Sequence, residues 1–262
     1  MFEKITSFQN PRLKLIKKLR DKKGREQESR FVIDDQRDLE RALERGYRVD
    51  YVFYCPELAD GAFVHGISRE HIYEVSRDIM EKASYRASPG GFVAVMFQKP
   101  GRSAESLESL ADTPVIGLVN LQKPGNIGAL LRTADATGFK AVFLIDSALD
   151  LYNPNIIRSS TGACFLDTIY TLTSAEARTF FQKRGYTVIA AHLEGTVSLY
   201  DTRFEDRSAV LLGTEDVGLD DSWTAFCDVL ARIPMAGQIT DSLNVSVSGA
   251  IFMYEVLRQR LA

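Results

Sequence analysis

The sequence is poor in cysteine and has no long apolar run, and each shortage removes a class of protein. Its three cysteines, Cys55, Cys164 and Cys227, are far apart, odd in number and without a nearby histidine. That excludes a disulfide framework and a zinc site as organising features. Free cysteine is commonly buried, so all three are read as small core residues, and no metal is expected. No stretch approaches the roughly 20 apolar residues of a membrane helix, and the opening MFEKITSFQNPRLKLIKKLR lacks the apolar segment of a signal peptide. A soluble, cytoplasmic protein without a membrane partner is expected. Also missing are a complete Gly-x-Gly-x-x-Gly, a P-loop and a nucleophile elbow, which leaves nicotinamide, nucleotide-hydrolysing and serine-esterase chemistry without their signatures.

What is present is an ordinary globular composition, 45% hydrophobic and 26% charged over 262 residues, enough chain for one large and one smaller domain. Net charge is −3, unevenly spread. Residues 1–30 hold ten Lys and Arg against four acids, so this stretch is +6 and the remainder −9. Lys14, Lys17, Lys18, Lys22 and Lys23 are the candidate RNA-phosphate contacts of such a basic arm. Leu13, Ile16 and Leu19 recur between the charges at near-helical spacing, so the same residues also suit a solvated helix face.

After the arm the pattern opens β-α-β: Phe31-Val32-Ile33, a helix over Arg37–Arg45 ending at Gly46, and a strand Tyr51–Tyr54. Short units follow at Ile72–Val75, Arg77–Ala83 and Phe92–Phe97. Residues 98–113 are polar, with Pro, Gly and Ser, and are assigned as a linker between a small domain (31–97) and a large one (114–262). From Pro114 strands and helices alternate at Val115–Val119, Ile127–Thr137, Ala141–Ile145, Asn155–Gly162, Ala175–Arg184, Thr187–Ala191, Ala209–Leu212 and Val229–Ile233. A closing helix covers Val245–Leu261. The fold class is α/β, with a mostly parallel sheet.

Three segments could carry chemistry. Asn120 to Ala134 joins a strand to a helix, where ligands of parallel sheets gather; Ile127, Leu130, Leu131 and Ala134 fall on one helical face, and Gly128, Arg132 and Asp135 on another. Asn126 there could equally cap the helix. Leu211 to Leu219 is a buried strand running into the glycine-flanked acids Glu215 and Asp216, suited to ligand binding or to capping a helix near Asp220. Arg232 to Ala250 ends a strand at Pro234 and opens a helix at Ser242-Leu243-Asn244, where capping is again an alternative. Val245 and Val247 are poor helix formers, so packing or a ligand selects them.

In combination, Asn126-x-Gly128-x-x-x-Arg132-Thr133-Ala134, Gly213-x-Glu215-x-x-Gly218, and Ile233-Pro234-Met235 through Ser242-Leu243-Asn244-Val245-Ser246-Val247 resemble the three ordered motifs of the SpoU/TrmH family of RNA 2′-O-methyltransferases. Phe31-Val32-Ile33-Asp34-Asp35-x-Arg37 and Ser88-Pro89-Gly90-Gly91 extend a weaker likeness to the small N-terminal α/β RNA-binding domain of many members. Asp34-Asp35 departs from the Glu-Gly common there, which puts the local turn in question.

The resemblance implies a C-terminal trefoil knot, a homodimer and S-adenosylmethionine as cofactor, held by Leu193, Gly195, Leu212, Gly213, Thr214, Ile233, Met235, Ser242, Leu243, Asn244 and Ser246. Arg132 would act in catalysis with Asn126, Glu215 and Asn244, and Arg158 would bind a second RNA phosphate. A guanidinium loses its proton only above about pH 12, so Arg132 is assigned to phosphate holding and charge stabilisation rather than to proton abstraction. Ile251, Phe252, Tyr254 and Val256 of the closing helix could form the dimer face or pack on the core. The implied substrate is ribosomal RNA. Transfer RNA, or RNA binding without catalysis, are the alternatives, and cofactor calorimetry separates the last.

Overall fold

The computed structural model describes residues 2–61 and 66–262. Two compact units share the chain: Met1–Pro100 with Asp150–Phe165, and Gly101–Leu149 with Leu166–Ala262.

The first unit holds β1 (Glu3–Ile5), α1 (Pro11–Lys18), α2 (Lys22–Glu28), β2 (Arg30–Ile33), α3 (Gln36–Glu44), β3 (Val49–Tyr54), β4 (Ile72–Val75), α4 (Arg77–Ala83) and β5 (Phe92–Phe97). Its mixed sheet runs β1-β4-β3-β5-β2, with β5 antiparallel to both neighbours. Asn10 caps α1 by accepting from the Arg12 N–H, and Pro11 starts the helix where no N–H partner is needed.

The expected basic arm is therefore not an arm. Leu13, Ile16 and Leu19 are fully buried in one core with Phe53, Val93 and Val95, so hydrophobic burial fixes α1 on the sheet. Asp34 and Asp35 settle the question of the local turn. The Asp35 carboxylate caps α3, accepting from the N–H groups of Arg37 and Asp38, while Asp34 accepts from the Tyr85 N–H at 3.2 Å. Arg86 bridges both acids, at 3.4 Å from Asp34 and 2.6 Å from Asp35. Two short acids and a cation here fix the turn without a glycine.

The second unit holds β6 (Val115–Val119), α5 (Pro124–Ala136), β7 (Ala141–Ile145), β8 (Ile169–Leu172), α7 (Ser174–Arg184), β9 (Thr187–Ala191), β10 (Val197–Ser198), β11 (Ser208–Leu212), α8 (Asp221–Phe226), β12 (Val229–Arg232) and α9 (Val245–Leu261). The sheet order is β10-β12-β9-β11-β6-β7-β8, parallel throughout. Strands β6, β7 and β11 are buried at every position, which is why they read as unbroken apolar runs.

Two boundaries and one burial assignment differ from the sequence reading. Residues 101–113 are structured rather than a linker: Leu107 is buried, and Arg102 pairs with Tyr170 as a short parallel bridge beside β8. The stretch Asp150–Phe165, which lies in sequence between β7 and β8, packs with the first unit and carries α6 (Pro154–Ser160). Arg158 accordingly sits on the first unit. Finally, Cys55 and Cys164 are buried as expected, but Cys227 is only partly so. Burial raises all three thiols, Cys164 and Cys227 to about 12, so none is a thiolate at neutral pH.

Candidate active site

Strands β9, β11 and β12 are parallel neighbours, so the loops that follow them emerge from one edge of the sheet. The implied cofactor residues cluster there: Leu193 and Gly195 after β9, Leu212 to Thr214 at the end of β11, Ile233 and Met235 after β12, and Ser242 to Ser246 at the start of α9.

Two of these glycines are required by the packing of the chain's own backbone. A β-carbon on Gly213 would lie 2.1 Å from the carbonyl carbon of Gly218, and one on Gly195 would lie 2.7 Å from the Arg232 N. The close approach is to the chain's own backbone. At Gly213 it closes a tight hairpin, in which Thr214 and Gly218 exchange N–H···O bonds of 2.9 and 3.0 Å and Gly218 takes a left-handed φ of 71°. The hairpin holds Glu215 at its tip. Leu212 is 1% exposed and gives packing, whereas Leu193 (65% exposed) and Met235 (41%) leave apolar surface open.

Asn126 is not the helix cap. Lys123 occupies that position and Pro124 begins α5, so Asn126 falls on the first turn with its amide free to reach across. Its Nδ2 donates to Glu215 Oε1 at 2.6 Å, and its Oδ1 accepts from Asn244 Nδ2 at 3.3 Å. Asn244 also caps α9: its Oδ1 accepts from the Ser246 N–H at 2.8 Å and from the Ser246 hydroxyl at 2.6 Å. The polarity is forced from one end, because a carboxylate can only accept. Donors therefore point from Ser246 through Asn244 and Asn126 toward Glu215, and the three sequence motifs become one hydrogen-bonded chain.

One residue with no role in the sequence reading makes that meeting possible. Gly249 is buried where α9 crosses α5 and β11, and a β-carbon there would lie 2.3 Å from Leu130 Cδ2 and 2.7 Å from Leu212 Cδ1. The small-residue run Ser246–Ala250 was the signal. Val245 is half-buried while Val247 is exposed, so packing explains only the first valine. Arg132 is exposed on α5 and has no hydrogen-bond or ion-pair partner among the described residues, whereas Gly128, assigned to the same face, is buried. Phe252 and Val256 are both 1% exposed and belong to the core, which leaves Tyr254 and the half-buried Ile251 of the suggested dimer face.

Of the basic residues, Lys18 pairs with Glu28 at 2.6 Å and Lys22 with Glu26 at 3.6 Å. Lys14, Lys17 and Lys23 are exposed and unpaired among the described residues, as is Arg158. Arg25 is instead buried at 2% exposure, forked on Asp150. No group of three or more His, Cys, Asp or Glu among the described residues could hold a metal.

Comparison with known proteins gives matching results along the chain. Residues 113–254 match the SpoU rRNA Methylase family, and residues 10–94 match the MRM3-like substrate binding domain. An uncharacterized tRNA/rRNA methyltransferase of Synechocystis sp. is 31% identical over 98% of this chain and 94% of its own length. The 23S rRNA (guanosine(2553)-2′-O)-methyltransferase of Bacillus subtilis is 27% identical over 97% of this chain and 99% of its own. A solved RNA 2′-O ribose methyltransferase superposes with a TM-score of 0.86 at 33% identity, covering 99% of this chain and 100% of that one. The AdoMet-bound rRNA methyltransferase of Sinorhizobium meliloti reaches 0.86 at 25% identity, covering 100% and 99%.

Proposed function

Because the chain belongs to the SpoU rRNA methylase family, we propose that its second unit transfers a methyl group from S-adenosylmethionine to a ribose 2′-hydroxyl of ribosomal RNA. The observation that carries this reading is the chain Ser246–Asn244–Asn126–Glu215, which unites three motifs distant in sequence at one sheet edge. The donor set there fits the cofactor: amides, hydroxyls and exposed Leu193 and Met235 suit a purine nucleoside with a polar tail. Bound there, S-adenosylmethionine supplies an electrophilic sulfonium methyl. Leu193, Gly195, Leu212, Gly213, Thr214, Ile233, Met235, Ser242, Leu243, Asn244 and Ser246 would hold it.

A ribose hydroxyl is barely acidic, so the chain's own work is to orient it and to stabilise the oxygen's growing negative charge. Arg132 suits that work. Its planar guanidinium stays charged, is not committed to a carboxylate, and can hold a phosphate oxygen and the ribose together. Asn126, Glu215 and Asn244 fix the geometry of the loops around it. The first unit supplies RNA contacts through Lys14, Lys17, Lys18, Lys22, Lys23 and Arg158.

Further parts of the reading rest on the same frame. The interleaved order β12-β9-β11, with α9 seated on Leu130 and Leu212, supports a C-terminal trefoil knot. Exposed Tyr254 and half-buried Ile251 on α9 leave part of the closing helix open to a homodimer face. A ribosomal RNA substrate suits a cytoplasmic location, and no helix among the described residues is long and apolar enough to cross a membrane. The test is incubation with methyl-labelled S-adenosylmethionine and unmodified ribosomal RNA, followed by digestion to nucleosides. Label on a 2′-O-methylnucleoside is expected; label on a base, or none on RNA, contradicts the reading.

A further inference from the structure

The helix that carries Arg158 has only seven residues, too few to hold a direction by itself, so its orientation is set by what anchors its ends. Both anchors are arginines of the first unit. Ahead of α6, Arg25 of α2 grips Asp150 with two parallel bonds, Nε to Oδ1 at 3.0 Å and Nη2 to Oδ2 at 2.7 Å. Behind it, the Arg41 guanidinium of α3 donates to the carbonyl of Thr161, which ends the helix in a left-handed turn at φ 48°.

Arg25 is the stronger anchor. It is 2% exposed, and its remaining Nη1 donates to the carbonyls of Leu19 and Arg20 at 3.0 and 2.8 Å. A buried guanidinium bonded on all sides fixes Asp150 relative to α1 and α2, the helices that bear Lys14, Lys17, Lys22 and Lys23. Between the anchors, Tyr152 stacks on Phe31 at 4.5 Å, and its hydroxyl meets the backbone N–H and carbonyl of Lys99. Ile156, Ile157 and Ser160 turn inward, which leaves Arg158 outward.

We propose that Arg25, through its fork on Asp150, is a positioning residue for RNA: it joins α6 and Arg158 to the rigid body bearing the α1–α2 lysines, so that one preset cationic surface meets the RNA backbone. The inference rests on the functional reading above. It assigns Arg25 no contact with RNA, although by sequence it is one more cation of the basic stretch. It also gives a reason for a stretch lying between β7 and β8 in sequence to pack with the first unit. Phosphates that must be held at fixed separations need cations at fixed separations.

The test is a double-mutant cycle on full-length protein with Asp150→Asn, Arg158→Ala and the pair, and with Arg25→Lys as a second way to break the fork. Each variant is assayed for binding to in-vitro transcribed, unmodified 23S ribosomal RNA, for KM and kcat of methyl transfer, and for melting temperature. Asp150→Asn is expected to weaken RNA binding and raise KM by about 3- to 10-fold, a loss on the scale of one misplaced charge-assisted contact. The kcat should stay near wild type. In the Arg158→Ala background the same change should add less than about 2-fold. Effects that simply multiply, or a lower melting temperature with unchanged RNA affinity, overturn the proposal and leave the pair a matter of stability. Should Arg25→Lys fail to fold, the Asp150→Asn cycle still decides. Absence of methyl transfer by the wild type would strike the functional reading instead, and the binding cycle would still test the anchor.

Discussion

Asn126 donates to Glu215 at 2.6 Å across 89 residues of sequence, and its Oδ1, the one acceptor atom of its side chain, accepts a second bond from Asn244. Reversing one partner shows what that arrangement is worth. Asn126→Asp sets two carboxylates in contact and removes the donor, so transfer should fall by about 10-fold or more and the melting temperature should drop. Adding Glu215→Gln restores a donor–acceptor pair of opposite direction. The double variant should regain the melting temperature and most of the lost rate; a double variant that melts normally and stays inactive would show that the Glu215 charge itself is needed.

Gly213 has no room for a methyl group, since the atoms in the way belong to the Gly218 and Leu219 backbone. Gly213→Ala should open the hairpin, displace Glu215 and cost about 1–3 kcal/mol of stability along with activity. Chemical denaturation with a parallel transfer assay measures both, and near-normal values in each would mean that the hairpin is not rigid.

These two residues also show how far sequence could reach. The parallel sheet was legible because β6, β7 and β11 are buried on both faces and so read as continuous apolar runs. The site was legible as motifs but not as contacts, for a carboxylate after β11 and an amide on α5 are joined only by strand order. The course of residues 150–165 was not legible at all. What holds it is Arg25, Tyr152 and Phe165, the last tilted against Phe31 at 5.9 Å, and none of these pairings leaves a periodic signal. The strands β1 and β10 were missed for the related reason that two or three residues carry too little pattern.

Asp38 adds a pH dependence. It is 5% exposed, and burial, with nearby Asp35, pushes its carboxyl from 3.8 up to about 6. Between these values the folded protein binds more protons than the unfolded chain, so this group's effect is to lower stability as pH rises from about 4 to 6 and then to stay constant. Asp38→Asn should therefore stabilise the protein by on the order of 2 kcal/mol at pH 7.5, with the gain shrinking toward pH 4. Melting curves across that range check it; an equal gain at every pH would assign the effect to packing.

Among the lysines, pairing predicts unequal weight. Lys14, Lys17 and Lys23 are unpaired among the described residues, whereas Lys18 must leave Glu28 before it can serve a phosphate. Replacing Lys14, Lys17 and Lys23 with Gln should reduce the salt slope of RNA binding by about 0.7–0.9 per lost contact. Lys18→Gln should reduce it less. Binding isotherms at several salt concentrations give the slopes, and equal effects would mean that the Lys18–Glu28 pair does not persist in solution.

On the proposed function, methyl transfer occurs at the exposed face of α5 beside Asn126, with Arg132 stabilising the reacting oxygen. Single-turnover transfer to 23S ribosomal RNA by the wild type and Arg132→Ala tests it most directly, with melting and adenosylhomocysteine binding measured on the same samples. Arg132 is exposed and has no hydrogen-bond or ion-pair partner among the described residues, so melting and cofactor affinity should hold while the transfer rate falls by about 100-fold or more. Arg132→Lys should recover little, because a point charge cannot reproduce the planar fork. A variant that melts normally, binds adenosylhomocysteine and still transfers at close to the wild-type rate would remove Arg132 from the reaction.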